Sequence, residues 1–166
     1  MKAFAAALVL ASSFLTPSAV VAQVGDDSPD YDARVEEALE GSRYDWEIDS
    51  DGDFRMILEF DDNRSHVLFV NSATNHLGGM EVREVWAVGA TSDEGFSATV
   101  MEALLRESAN VKLGGWSIQD MGSSELAIFR AQVSANASAS SLSTIIMAVA
   151  TTADEFEKEL LGSDEL

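Results

Sequence analysis

Alternation of apolar and polar residues in successive short stretches is the sequence feature that most restricts the fold. Phe54, Met56, Leu58 and Phe60 are each separated by a single residue. Neighbouring side chains of a strand point to opposite faces of a sheet, so this spacing predicts a strand with one buried face. Similar patterns predict further strands at 44–48, 65–70 and 80–88, and polar turn residues separate the strands at 49–52 and 61–63.

A different period marks the end of the chain and predicts its last helix. Apolar residues recur there every three or four positions and fall on one helical face: Leu142, Ile145, Ile146, Val149, Ala153, Phe156 and Leu160. Ser28 as a cap and Pro29 as the next residue predict a first helix that ends near Glu40. The capping-box sequence Thr91-Ser92-Asp93-Glu94 predicts a second helix that runs to about Asn110.

A hairpin follows the second helix, with predicted strands at 116–118 and 125–134. The polar, glycine-containing stretch 71–79 is predicted to connect the third and fourth strands. The order is then helix, strands, helix, hairpin, helix. Runs of strands with helices on one side are typical of an α+β domain, so we expect an antiparallel sheet with helices packed on it.

The charge balance excludes several classes of partner. Ten lysines and arginines stand against 29 aspartates and glutamates in the 166 residues, a formal net charge of −19. Nucleic acids bind proteins that neutralise their phosphates, so a nucleic-acid partner is not expected. An anionic membrane surface is disfavoured for the same reason. The chain has no cysteine, which excludes disulfides, thiolate nucleophiles and cysteine-ligated metal centres.

The first 22 residues have the pattern of a cleaved export signal. Lys2 supplies a positive charge, residues 3–15 are largely apolar, and Pro17 interrupts the apolar run. Val20-Val21-Ala22 places small residues before a cleavage site. The apolar run is shorter than the roughly 20 residues that a membrane-spanning helix needs. Cleavage is therefore predicted, and an uncleaved anchor is the alternative.

The sequence therefore predicts four parts. These are a signal peptide at 1–22, a flexible leader at 23–30, a single α+β domain at 31–161 and a tail at 162–166. Short lysine-led signals are bacterial in character, so we expect a periplasmic or secreted protein that has no membrane contact after cleavage.

The turn Asp49-Ser50-Asp51-Gly52-Asp53 is the one local pattern that suggests a metal. Carboxylates at alternating positions can converge on Ca²⁺, which takes six to eight oxygen ligands. An EF-hand loop that began at Asp49 would need glycine at its sixth position and glutamate at its twelfth, where this chain has Phe54 and Phe60. An acidic turn between two strands is thus the main interpretation. Weak calcium binding by Asp49, Asp51 and Asp53 is the alternative.

No catalytic motif is present. His66 and His76 are the only histidines and lie ten residues apart, too far for a local pair of metal ligands. The sequence contains no zinc-protease motif, nucleophile elbow or phosphate-binding loop. We therefore expect both histidines to be solvated or on an edge strand, and we do not expect an enzyme or a cofactor. A pocket that brought either histidine together with carboxylates would favour an enzyme.

The last helix is the candidate contact surface. Its first half is apolar on all sides, so a single sheet would cover only part of it. A protein partner or a second copy of the chain could bind there, with Ile145, Ile146, Met147 and Val149 as candidate contact residues. The competing interpretation is that this face belongs to the core, because small domains bury most of their apolar area.

Several stretches together resemble the YbjN family of bacterial sensory-transduction regulators. They cover about 31–160 and are Ile48-Asp49, Asp51-Gly52-Asp53-Phe54, Leu104-Leu105 with Asn110, Gly115-Trp116-Ser117-Ile118, Leu126-Ala127-Ile128-Phe129 and Ala153-Asp154-Glu155-Phe156. The resemblance implies an α+β fold like that of type III secretion chaperones, and it implies no catalytic residues. With the export signal, it favours an exported binding or regulatory module that acts through protein–protein contacts. A weakly calcium-responsive acidic protein of the periplasm is the alternative.

Overall fold

The structure is a computed structural model that describes residues 29–60 and 63–160. Its elements, in chain order, are α1 (Ala33–Leu39), β1 (Trp46–Ile48), β2 (Phe54–Glu59), β3 (Ser65–Leu77), β4 (Met80–Ser92), α2 (Ala98–Asn110), β5 (Gly115–Asp120), β6 (Glu125–Ser134) and α3 (Ala139–Leu160). The six strands form one antiparallel sheet in the order β1-β2-β3-β4-β6-β5. The predicted α+β class is confirmed. The predicted signal peptide at 1–22 and tail at 162–166 lie outside the described residues, as does most of the predicted leader at 23–30.

One face of the sheet forms the main core because the alternating residues of each strand point towards the helices. Strands β2, β3, β4 and β6 bury Phe54, Met56, Leu58, Leu68, Val70, Val85, Ala87, Phe129, Ala131 and Val133. Helices α3 and α1 pack on this face. Helix α3 contributes Leu142, Ile145, Ile146, Val149, Ala150 and Ala153, and α1 contributes Val35 and Leu39. The apolar face of α3, predicted from its helical period, therefore packs against the apolar face of the sheet, predicted from the alternation in its strands.

A bulge in β4 adapts the sheet to α2. The pairing of β4 with β6 shifts between Val88 and Ala90, so Ala90 is buried on the helix side. Gly89 lies at the shift, where a Cβ atom would stand 2.3 Å from the ring of Trp116. Glycine therefore leaves the space that the indole fills. A second, smaller core joins α2 and the end of α3 at this place and contains Ala90, Phe96, Leu104, Ala127 and Phe156.

Two predicted helix starts are wrong because tertiary contacts decide them. Thr91 and Ser92 end strand β4, where they pair with β6, and α2 begins at Ala98 with Ser97 as its N-cap. The first helix begins at Ala33 with Asp32 as its N-cap. The Ser28 of the predicted cap lies outside the described residues.

Two further details differ from the sequence-based expectation. The stretch 71–79 is not a loop, because β3 continues to Leu77 and pairs with β4 after a register shift between Val70 and Thr74. Leu160, predicted to lie on the apolar face of the last helix, is 38% exposed at the end of α3. Within the described residues, no helix is both long enough and apolar enough to cross a bilayer.

A network of charged groups fixes α1 to the β3–β4 hairpin. Arg34 donates hydrogen bonds to both Glu81 carboxylate oxygens at 2.9 Å and to Asp32 at 2.6 Å. Arg83, whose side chain is 2% exposed, donates to the same Asp32 carboxylate at 2.7 Å and to the Ala135 carbonyl at 3.2 Å. The hydrogen bond from Arg34 lowers the pKa of Asp32 well below its usual range. Hydrogen bonds from Arg34 and Thr74 lower the pKa of Glu81 to about 2.

We predict that Glu81→Gln destabilises the protein at neutral pH and that the difference from the wild type becomes smaller as the pH falls below about 4.5. Because folding lowers the pKa of Glu81 from its ordinary 4.5 to about 2, its ionic contribution is complete above about pH 4.5. That contribution is lost as the pH falls towards 2. Urea unfolding midpoints of both proteins at pH 7, 4 and 2.5 measure this loss.

Glu102→Gln is the matched control, since Glu102 pairs with Arg106 on the exposed surface of α2 with 61% of its own side chain exposed. Its unfolding midpoint should stay close to that of the wild type at each pH. A deficit of Glu81→Gln that is equal at pH 7 and pH 2.5 would contradict the ionic account.

Candidate functional site

The second face of the sheet is uncovered in the described part of the chain, where the helices pack on the other face. Its side chains form two neighbouring rows that cross the strands. In one row Ile57 pairs with Val67 and, further along, Val88 pairs with Ile128. In the other, Arg55 pairs with Phe69, Phe69 with Trp86 and Trp86 with Arg130. We call this surface the open face; it comprises Arg55, Ile57, Val67, Phe69, Trp86, Val88, Ile128 and Arg130. Ile57 is exposed, Ile128 is only 3% exposed and the others are half-buried.

The centre of the open face is an aromatic pair. The rings of Phe69 and Trp86 are stacked with centroids 4.3 Å apart and planes 14° apart. The indole N–H of Trp86 donates a 2.7 Å hydrogen bond to the Asn71 side chain, which fixes the ring orientation. Beside the pair, Ile57 is 49% exposed. The open face therefore presents one exposed apolar side chain beside an oriented, half-buried aromatic pair.

Both arginines of the open face have a carboxylate of the same face close by. Arg55 lies 2.8 Å from Glu47 of the edge strand β1, and Arg130 lies 3.5 Å from Glu84. Arg130 also donates to the Gln119 side chain at 2.7 Å. A nearby carboxylate thus neutralises each arginine of the open face. The open face therefore does not reduce the net negative charge of the chain.

A cluster of buried charged groups lies on the opposite side of the sheet, beneath the end of α3. Arg64 donates to Asp154 through Nε and to Glu157 through Nη2, each at 2.8 Å. His66 on β3 reaches the Val88 carbonyl through Nε2 at 2.8 Å. Its Nδ1 lies 3.7 Å from Glu157 Oε2 and has no hydrogen-bond partner. His66 and Glu157 have no exposed surface, and Asp154 and Arg64 are 6% and 8% exposed.

This position of His66 corrects the expectation of a solvated or edge-strand histidine. β3 is an inner strand of the sheet, and His66 shares the core-facing alternation of Leu68 and Val70. The carboxylates follow the helical spacing of the buried face of α3, which continues from Val149 and Ala153 to Asp154 and Glu157. Both periods are readable in the sequence, but the residues that meet in the cluster lie about ninety positions apart. His76 is exposed, as expected.

Two of the three aspartates of the predicted calcium turn accept hydrogen bonds from backbone N–H groups. Asp49 accepts hydrogen bonds from the backbone N–H of Asp51 at 2.9 Å and of Asp53 at 3.0 Å. Asp53 accepts from the Ser72 N–H at 2.7 Å. Burial raises the pKa of the Asp53 carboxyl, and the charges of Asp49 and Asp51 raise it further. In the described part of the chain, the one group of three potential metal ligands with mutually close donor atoms is His66, Asp154 and Glu157, not this turn.

The predicted contact residues of the last helix are mostly in the core. Ile146 and Val149 have no exposed surface and Ile145 is 7% exposed, so these three side chains pack against the sheet, as the competing interpretation held. Met147 is half-buried and borders a groove of about 780 Å³ beside β1. In that groove Arg43 Nη2 lies 3.4 Å from the Met147 sulfur.

No family model matches the chain, and the search of curated proteins finds no match either. The resemblance to the YbjN family therefore stays a prediction.

We predict that Ile146→Ala lowers the free energy of unfolding by about 2–5 kcal/mol, because it opens a cavity between α3 and the sheet. Ile57→Ala on the open face should cost about 0.5 kcal/mol, since the side chain is half exposed. Urea unfolding of both variants measures the two values. Equal losses would contradict the assignment of one face to the core and the other to solvent.

Proposed function

We propose that this chain is an exported, non-enzymatic binding module that holds a protein partner on the open face of its sheet. The observation that carries this proposal is the stacked Phe69–Trp86 pair with the exposed Ile57 beside it. Aromatic side chains and arginine are enriched at the energetic centres of protein interfaces. Contiguous exposed apolar patches on monomers often mark such interfaces.

The net charge of the chain indicates which kind of protein partner it attracts. At −19 the chain attracts basic proteins over long distances and repels a second copy of itself. The arginines of the open face are already paired with Glu47 and Glu84, so an acidic partner gains little there. The proposed partner is a basic protein that presents an apolar surface.

The proposal includes the expectations drawn from the sequence: export to the periplasm or medium, a YbjN-like fold of the secretion-chaperone type and a regulatory role. The antiparallel α+β architecture supports the resemblance at the level of fold class. The place of the His66 cluster supports a non-enzymatic role. His66 and Glu157 are completely buried and Asp154 is 6% exposed, and a catalytic site needs access for its substrate.

We predict that Ile57→Asp weakens partner binding at least about tenfold while Leu105→Asp preserves it. Both positions are exposed apolar residues, but Ile57 is on the open face and Leu105 is on α2, where it is 71% exposed. The test crosslinks and captures partners with the wild type and both variants in the native compartment. The captured protein is then produced separately, and its affinity for each chain is measured at 50 and 200 mM salt.

The expected result is a basic protein whose affinity falls at least about tenfold with Ile57→Asp and weakens with salt. Loss of binding with both variants, or with neither, would contradict the open face as the binding surface. The other candidate occupant of the open face is a second copy of the chain, and sedimentation of the purified protein tests it. A dimer that Ile57→Asp dissociates would show that a second copy covers this face.

A further inference from the structure

We propose that His66, Asp154 and Glu157 form a binding site for one divalent transition-metal ion, with Zn²⁺ as the probe. This inference is independent of the proposed partner-binding surface, since the site lies on the helix side of the sheet. Each residue contributes one donor atom, and the three donor atoms lie within 4.8 Å of one another. One nitrogen and two carboxylate oxygens are a ligand set that zinc accepts.

The hydrogen bond of the imidazole is the strongest indication of a ligand. The Val88 carbonyl can only accept, so Nε2 of His66 must carry the proton in its 2.8 Å contact. Nδ1, which carries the lone pair in the neutral tautomer, faces the Glu157 carboxylate; it is fully buried and has no hydrogen-bond partner. Histidine ligands of metals typically donate their second ring nitrogen to such a carbonyl, which fixes the tautomer and the ring orientation.

Electrostatics also favours a cation between these groups. The Nδ1 lone pair and Glu157 Oε2 are both acceptors and face each other at 3.7 Å, so a neutral imidazole beside a carboxylate leaves two acceptors opposed. A metal ion would accept both lone pairs. Burial strengthens this attraction because little water screens it.

Arg64 is the group that must yield to the ion. Its guanidinium donates to one oxygen of Asp154 and one of Glu157. Arg64 is 8% exposed, whereas Glu157 is completely buried. The ion would displace the guanidinium from Glu157 Oε2, so Arg64 and the metal compete for the same negative charge.

The donor set favours zinc-like ions over calcium. Ca²⁺ prefers six to eight oxygens, whereas imidazole nitrogen selects zinc, copper, nickel or iron. His66 is on β3 and the carboxylates are on α3, so a bound ion would join the end of the helix to the inner sheet. Such an ion stabilises the folded state, and zinc at 100 times its dissociation constant should raise the folding equilibrium constant about 100-fold.

The test starts from the tag-free chain after treatment with a chelator. Zinc is titrated into it, and calorimetry measures the heat of binding. We expect one site per chain, and at least about tenfold weaker binding by His66→Gln. This variant retains an amide donor for the Val88 carbonyl and removes the Nδ1 ligand. His76→Gln, at the exposed histidine, is the matched control and should bind zinc as the wild type does. Arg64→Gln should bind zinc more tightly, because it removes the competing cation.

Two results would overturn the proposal. One is a folded wild-type chain that binds no stoichiometric zinc. The other is equal zinc binding by His66→Gln and His76→Gln, which would assign the binding to surface carboxylates. If His66→Gln does not fold, nitrogen-15 spectra of the wild-type histidines decide: zinc must shift the Nδ1 resonance of His66, and an unchanged resonance would overturn the proposal.

Discussion

The packing of α3 against one face of the sheet is the interaction on which the rest of the structure depends. This single helix of 22 residues contributes nine buried side chains, most of them apolar, and contacts β3, β4 and β6. Removing such an apolar area from water is the main favourable term in folding a domain of this size. Because α1 and α2 pack on the same side as α3, the opposite face of the sheet is left without a covering element among the described residues.

The composition of α3 changes along its length, and the change explains the second feature of the molecule. Its buried face is apolar up to Ala153 and then presents Asp154 and Glu157 to the sheet. Buried charges are costly unless they are paired and hydrogen-bonded. Arg64 supplies pairing from the loop before β3, and His66 lies next to the resulting ion pairs. The cluster of Arg64, His66, Asp154 and Glu157 replaces apolar side chains at this end of the core. A binding role for the cluster is therefore worth testing.

Periodicity in the sequence was sufficient to predict the element types, the core-facing residues of the strands and the buried face of the last helix. It failed where tertiary contacts override local signals. The capping-box sequence at Thr91 favours a helix, but the strand pairing between β4 and β6 keeps Thr91 and Ser92 in β4. The hairpin extension 71–77 has a polar sequence, yet Arg83 and Asp32 hold it in place through groups distant in sequence. The buried cluster also depends on groups about ninety residues apart, a distance that no local pattern bridges.

The open face and the charge of the chain together define the functional account. An aromatic pair is held flat by pairing between β3 and β4 and by the hydrogen bond of Trp86 to Asn71. A rigid surface loses little conformational entropy on binding, so its apolar area is available for affinity. The acidic character of the chain then favours basic partners and raises their association rate.

Hydroxyl-radical footprinting of Trp86 tests this account most directly, with the purified chain compared to the chain in the cells that produce it. Trp116, on the helix side of the sheet, serves as the internal reference because it packs against Phe129 and Phe156, away from the open face. The account predicts that Trp86 oxidation relative to Trp116 falls in the cell, where a partner covers the open face. An unchanged ratio would contradict the open face as the binding surface.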